Sequence, residues 1–158
     1  EPGFSEAVQD TPVTGVCGSG MIEVIAEMYL AGIISQDGVI QGSLVEKTSR
    51  VVSDERTFSY LLYENGDTKL FITQNDIRAI QLAKAALRAG IDLLVEHAGS
   101  PEVHDIRLAG AFGAHIDPTY AMVLGLVPDC PLPGVRSVGN WDMTFLRKYH
   151  LIFRHLVW

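Results

Sequence analysis

The strongest constraint on how this chain can fold is Leu108-Ala109-Gly110-Ala111-Phe112-Gly113, where a short apolar run ends in two glycines shortly before a helical stretch. The residues before it, Asp105 to Ala109, read as a buried strand, and those after it, Asp117 to Ala121, read as a helix start. A glycine turn at the carboxyl end of such a strand lets a ligand approach the backbone, in the crevice where open α/β sheets bind their ligands. The same turn also serves plain chain reversal, so its neighbours decide its meaning.

Those neighbours alternate. From Ser19 to about Ile34 the pattern is helical, with Ile22, Ile25, Ala26, Tyr29, Leu30 and Ile33 on one side and Glu23 and Glu27 forming a narrow polar strip. Extended segments are expected at Val39–Val45, Thr57–Tyr63 and Lys69–Ile72, the last two joined by Glu64-Asn65-Gly66-Asp67, a strong hairpin signal. Thr73, with Asp76 three residues on, fits a helix start, and apolar positions then recur at helical steps to His97, before Gly99 and Pro101. Gly90 inside that helix points either to close packing or to a tolerated surface glycine. A strand to Ala109, a helix at Pro118–Leu124, a proline-rich loop and a strand at Val135–Val138 follow. The order helix, strand, helix, strand suggests an α/β fold with helices packed on a sheet.

Bulk properties narrow the function. The chain has 158 residues, one domain's worth, and its net charge of -7 argues against a broad surface for nucleic acid or anionic membrane. No apolar run reaches the roughly 18 residues of a membrane span, and no basic-then-apolar leader opens the chain. A cytoplasmic setting is the expectation. The two cysteines, Cys17 and Cys130, form no CxxC pair, so cysteines of this chain cannot hold a zinc ion or an iron–sulfur cluster. The start at Glu1-Pro2-Gly3, without methionine, suggests a fragment or a processed product.

A second glycine turn, Thr14-Gly15-Val16-Cys17-Gly18-Ser19-Gly20, leads straight into a helix. The amides of Gly18, Ser19 and Gly20 could bind a phosphate at the positive end of the helix dipole, or Ser19 could simply cap the helix. No Walker pattern follows. Cys17 reads as a buried structural cysteine rather than a nucleophile, since the spacing of a GxSxG elbow fails around it. His97, His104 and His115 are the candidate bases for a Cys17 hydrolase, but none is marked by spacing. His115-x-Asp117 is too thin a ligand set for zinc, so neither a metal site nor catalytic residues are expected. Arg78, Lys84 and Arg88 read as a solvated basic edge of the long helix.

Taken in order, TGVCGSG, FITQNDIRAIQLAKAALRAGIDLL, LAGAFG, LGLVP and SVGN are more specific than any one motif. Together they resemble the C-terminal part of the ATPase domain in the reductive activators of corrinoid-dependent methyltransferases and their uncharacterised iron–sulfur relatives. These belong to the acetate and sugar kinase, heat-shock cognate and actin superfamily. The resemblance covers roughly residues 12 to 140. It implies one lobe of an actin-like, ribonuclease H-like ATPase, a mixed sheet with helices packed on it. Residues 1–14 would be a linker or truncated loop, 15–140 the C-terminal lobe, and 141–158 an atypical tail.

The resemblance also implies a site. Gly110, Ala111, Phe112 and Gly113 fall at the adenosine-side motif, Gly18, Ser19 and Gly20 at a turn facing the cleft, and Gly139 and Asn140 at the inter-lobe connecting helix. ATP or ADP with Mg is the implied cofactor, weakly held or not held at all by this chain alone. The Asp-Ile-Gly-Thr-Asn phosphate motif and the cluster cysteines of the family are absent, so any iron–sulfur cluster would belong to a missing upstream domain. After Gly139-Asn140 the family continues with small residues, whereas Trp141-Asp142-Met143-Thr144-Phe145 stands here. The implied function is the nucleotide-binding lobe of an ATP-dependent activator of corrinoid, metallo-redox proteins, inactive as a fragment. Its partners would be the missing N-terminal lobe and ferredoxin-like domain and a corrinoid protein, while apolar surface left open by the missing lobe makes a homo-oligomer an expectation of the fragment reading. The alternative is an interaction or dimerisation module that keeps the fold without using nucleotide.

Overall fold

The computed structural model describes residues 13–139. They form α1 (Gly18–Leu30), β1 (Val51–Asp54), β2 (Thr57–Asn65), β3 (Thr68–Ile72), α2 (Gln74–His97), β4 (Ile106–Ala109), α3 (Gly110–Gly113), α4 (Pro118–Val123) and β5 (Val135–Gly139). The chain divides into two compact units, one containing Met28–Ala79 and the other Gly18–Glu27 with Ile80 onward.

The first unit is built on an antiparallel sheet in the order β1-β2-β3. The Asn65-Gly66 signal holds: Asn65 pairs with Thr68, and Gly66, first of the two central residues, has a φ of 56°, as a type II′ hairpin turn requires. β1 was not expected from the sequence. Its hairpin turns through Glu55 and Arg56, and Glu55 holds a φ of 51° with no glycine to signal it. Hydrogen bonds around Asp54 tie this turn together: Ser59 Oγ donates to its carboxylate at 2.7 Å and Thr57 Oγ1 to its carbonyl at 3.1 Å. A register shift between Leu61 and Tyr63 marks a bulge, whose carbonyls at Leu61 and Leu62 accept from the Arg50 guanidinium at 2.9 and 3.1 Å.

The expected extended run at Val39–Val45 is replaced by a single bridge, Ile34 to Ile40, and a 3₁₀ turn at Gly42–Leu44. Met28, Ile34, Ile40, Val51, Leu61, Ile72 and Ile77 bury to form the core of this unit. Gln74, also buried, stitches the bridge segment to the start of α2. Its Nε2 donates to the Gly38 carbonyl at 2.6 Å and its Oε1 accepts from the Ile40 amide at 3.0 Å. The expected cap of α2 is present, since the Asp76 amide donates to Thr73 Oγ1 at 3.2 Å while the Thr73 amide donates back to the Asp76 carboxylate at 2.8 Å.

The second unit pairs β4 with β5 in parallel, with Ile106 opposite Val135 and Leu108 opposite Ser137. Ile22, Ala121, Leu126 and Val127 are its buried cluster, with Ile106, Leu108 and Ile116 packed against it. β4 is only half-buried, against the expectation of a buried strand, because among the described residues β5 is its one sheet neighbour. α1 ends at Leu30 rather than near Ile34, where the chain turns at Gly32, and Tyr29 and Leu30 are exposed instead of continuing the apolar side. Gly90 has nothing within 4 Å of where a Cβ would stand, which makes it a surface glycine.

Gln74→Ala leaves two buried backbone groups unpaired. It should lower stability by about 1–3 kcal/mol in urea denaturation, and Gln74→Glu, which sets a carboxylate oxygen against the Gly38 carbonyl, should cost at least as much at neutral pH.

Candidate functional site

The site grows from the end of β4. Its ladder with β5 slips between Leu108 and Ala109, so that Leu108 lies opposite Ser137 but Ala109 opposite Gly139. At this slip the chain leaves the strand through Gly110, whose φ of 98° is closed to residues with a Cβ except under strain, and enters the single turn α3. Gly113 has a different job. A Cβ there would stand 3.1 Å from the Leu108 carbonyl carbon, so glycine lets α3 lie against β4. Ser137 Oγ then fastens β5 to this turn by donating to the Gly113 carbonyl at 2.7 Å.

Under this junction lies a cavity of about 500 Å³, lined by residues that include Ile22, Ile80, Leu87, Arg107, Leu108 and Gly110. Its size and largely apolar walls are those of a small-ligand pocket. Among the described residues Arg107 is its one charged lining residue, and its guanidinium lies 3.4 Å from the Asp105 carboxylate in a surface pair. Outside its chain neighbours and its own helix backbone, no described atom lies within 4 Å of the Cβ position at Gly110, so the backbone there is open on that side. Among the described residues no buried polar side-chain atom is left without a partner. Polar contacts to a ligand would therefore come from backbone groups around Gly110 and from Arg107. A second cavity, of about 530 Å³, lies in the other unit beside Arg56, Phe58, Gln74 and Arg78, and of the residues singled out for binding in the sequence it contains none, though Arg78 of the expected basic edge lines it.

Of those residues, Gly110 and Gly113 line the first cavity, and Gly139 pairs with Ala109 at its edge. Ala111 and Phe112 lie in α3. Gly18, Ser19 and Gly20 form the first turn of α1, and Ile22 in the same helix reaches the cavity wall. Asn140 lies outside the described residues, as does the expected tail 141–158. Cys17 is exposed, not buried: it stands before the first turn of α1, while Cys130 is the buried cysteine. His115 is exposed, and Asp117 caps α4 by accepting from the Thr119 amide at 2.7 Å. Among the described residues no three His, Cys, Asp or Glu side chains gather to hold a metal.

The basic-edge reading fails for Arg88. It donates to the Val127 carbonyl at 3.0 Å and faces the Asp92 carboxylate at 3.3 Å, tying α2 to the loop after α4. Its helical spacing looked like solvent, and a carbonyl so far along the chain leaves no mark in sequence. Tyr120 and Glu27 were missed for the same reason. The Tyr120 hydroxyl donates to the Glu27 carboxylate at 2.5 Å, joining α4 to α1. That bond, with desolvation and the negative charges of Glu27, Asp117 and Glu23, pushes the phenol pKa up from 10.0 to about 12.

Comparison with known proteins bears on what this arrangement is. A profile described as the C-terminal domain of RACo, the ASKHA domain, matches residues 3–152. The chain belongs to this family. Its architecture is accordingly the mixed α/β, actin-like fold of ASKHA domains. A curated relative, the corrinoid activation enzyme RamQ of Eubacterium limosum, is 38% identical over 152 residues, covering 89% of this chain and 26% of that protein. The ASKHA chain thus spans about a quarter of the length of the relative it matches.

Two outcomes follow from the geometry. Gly113→Ala should destabilise the fold by about 1–3 kcal/mol, as overpacking between α3 and β4, measured by thermal or urea unfolding. In an ultraviolet titration one tyrosine should ionise near pH 12, and that step should vanish in Tyr120→Phe and move down in Glu27→Gln. Because the folded pKa is raised, the stabilisation from this bond is complete below about pH 10, the unfolded value, and is lost as pH rises through 12.

Proposed function

We propose that this chain is the nucleotide-binding lobe of an ATP-dependent reductive activator of corrinoid proteins, and that alone it turns nucleotide over little or not at all. The observation that carries the reading is the apolar cavity that opens onto the bare backbone of Gly110. An adenosine moiety is flat, largely apolar on its faces and polar at its edges, which suits walls such as Ile22 and Leu108 with backbone groups at the rim. In this reading Gly110, Ala111, Phe112 and Gly113 hold the adenosine side, and Gly139 and Asn140 flank it. Gly18, Ser19 and Gly20 present helix-terminal amides toward the phosphates.

Bound ATP with Mg supplies the free energy of phosphoanhydride hydrolysis. This chain's own part is to bind and orient, since among the described residues a single guanidinium lines the cavity and cannot neutralise a triphosphate. The other phosphate ligands belong to an N-terminal lobe, and electron delivery to a ferredoxin-like iron–sulfur domain, both within the longer parent that the length of RamQ suggests. Residues 15–140 form the lobe, with 1–14 a linker and 141–158 an atypical tail. A corrinoid protein in the cytoplasm is the partner acted upon, as the name of RamQ suggests. No helix among the described residues is long and apolar enough to cross a membrane.

Titration of the chain with Mg-ADP and Mg-ATP should give weak binding heat, protection of the amides at 110–113 in hydrogen exchange, and no measurable phosphate release. Gly110→Val, which costs roughly 1–2 kcal/mol in the backbone and fills the open space, should abolish the protection. Absence of both heat and protection in the unmodified chain would falsify nucleotide binding and leave the interaction module as the better account.

A further inference from the structure

The cavity beside Arg56 and Phe58 takes no part in the proposed nucleotide site, and its charges are of one sign. Among the described residues two arginines line it, Arg56 on the β1–β2 turn and Arg78 in α2, and no carboxylate does. Acidic residues outnumber Lys and Arg by 19 to 12 in this chain, so a lining with cations alone runs against its overall charge. The carboxylates two residues before each arginine are taken up by hydroxyls. Asp54 accepts from Ser59 Oγ at 2.7 Å, and Asp76 from Thr73 Oγ1 at 2.7 Å. Arg78 is already engaged within the protein, though the five N–H groups of a guanidinium can serve more than one acceptor. Arg56 makes no ion pair or side-chain hydrogen bond among the described residues.

The rest of the wall is apolar and held in place. Val39, Ile40 and Phe58 supply it, and a Cβ at Gly42 would overlap the Phe58 ring, so glycine lets the ring lie against the backbone there. The Ser35 amide donates to the Val39 carbonyl at 2.9 Å, and the Val39 amide donates to Ser35 Oγ at 3.2 Å. Gln74 clamps the same segment through Gly38 and Ile40, with both ends of its amide in use. A wall fixed in this way needs no reordering to receive a ligand. Its volume, about 530 Å³, is that of a small-molecule pocket. One unpartnered guanidinium matches a single negative charge, and its planar fork suits a carboxylate. Phe58 and the aliphatic wall suit a flat apolar body.

We propose that this cavity binds a small organic carboxylate with a flat apolar body, its charge received by Arg56 with support from Arg78 and its body by Phe58. The probe is 2-naphthoate, titrated into the 158-residue chain while backbone amide shifts are followed by NMR. It should saturate, moving the amides of Val39, Ile40, Gly42 and Arg56 to Phe58 and leaving those of Gly110 to Gly113 in place. 2-Naphthamide, which keeps the body and loses the charge, should bind at least about tenfold more weakly, and so should 2-naphthoate to Arg56→Ala. Arg56 is exposed, so this variant should keep the urea midpoint of the unmodified chain, and Arg56→Lys should recover part of the binding. Absence of saturable shifts overturns the proposal. Equal binding of the amide, undiminished binding to Arg56→Ala, or shifts at Gly110 to Gly113 in place of those around Arg56 overturn it as well. The two cavities share no lining residue, so success or failure of Mg-ADP binding leaves this result untouched.

Discussion

Parallel strands cannot be joined by a tight turn, and the pairing of β4 with β5 therefore dictates most of what surrounds it. The chain must travel back along the whole strand before β5 can begin, and it does so through α3, α4 and the loop after them. That return path supplies the core. Ala121, Leu126 and Val127 all lie on it, and they bury against Ile22 of α1. The turn that closes α4 sets the direction of two of them, since the Leu126 amide donates to the Ala121 carbonyl at 2.8 Å and brings Leu126 and Val127 back under the helix. Arg88 then secures the path to α2 through the Val127 carbonyl. Burying a guanidinium stem to satisfy one carbonyl is worthwhile here because that carbonyl would otherwise face an apolar cluster without a partner.

A sheet of two strands is marginal without cover. The β4–β5 pair is held by helices on its face and by side-chain ties such as Ser137 to the Gly113 carbonyl, rather than by further strands among the described residues. The same arrangement accounts for the cavity. An apolar strand with one sheet neighbour among the described residues leaves Leu108 partly open, and Ile22, Ile80 and Leu87 face the resulting space without filling it. Packing of this kind is costly unless something enters, because an apolar wall with no atoms opposite forfeits its dispersion contacts.

What could be read from the sequence was local. Thr73 with Asp76, Asn65-Gly66 and Asp117-Pro118 each announce a structure whose hydrogen bonds close within a few residues, and each appears where expected. β1 escaped because its turn uses Glu55 in a left-handed conformation, steadied by bonds around Asp54 instead of by glycine. The Val39–Val45 run is apolar enough for a strand, but after the bridge at Ile40 its next backbone bonds close within the turn at Gly42–Leu44. The glycines of LAGAFG were legible as a junction. Their separate duties, an open backbone at Gly110 and a close approach to Leu108 at Gly113, are set by the tertiary packing and leave no mark in the letters. Gln74, Arg88 and Tyr120 act across long stretches of chain, and such reach has no periodicity to betray it.

The chemistry of the cavity also limits what this lobe can do by itself. A polyphosphate carries several negative charges, and removing them from water without matching cations or donors is prohibitive. Among the described residues the walls of the cavity offer one guanidinium, itself beside the Asp105 carboxylate, while the chain as a whole carries a net charge of -7. Neutral, flat groups meet no such penalty there. In the proposed reading the cavity would take the uncharged end of a nucleotide, with the charged end received at its rim by helix-terminal amides and by groups from outside the described residues. On that proposal, affinity would rise mainly when a second surface closed over the phosphates, coupling binding to assembly with the proposed second lobe.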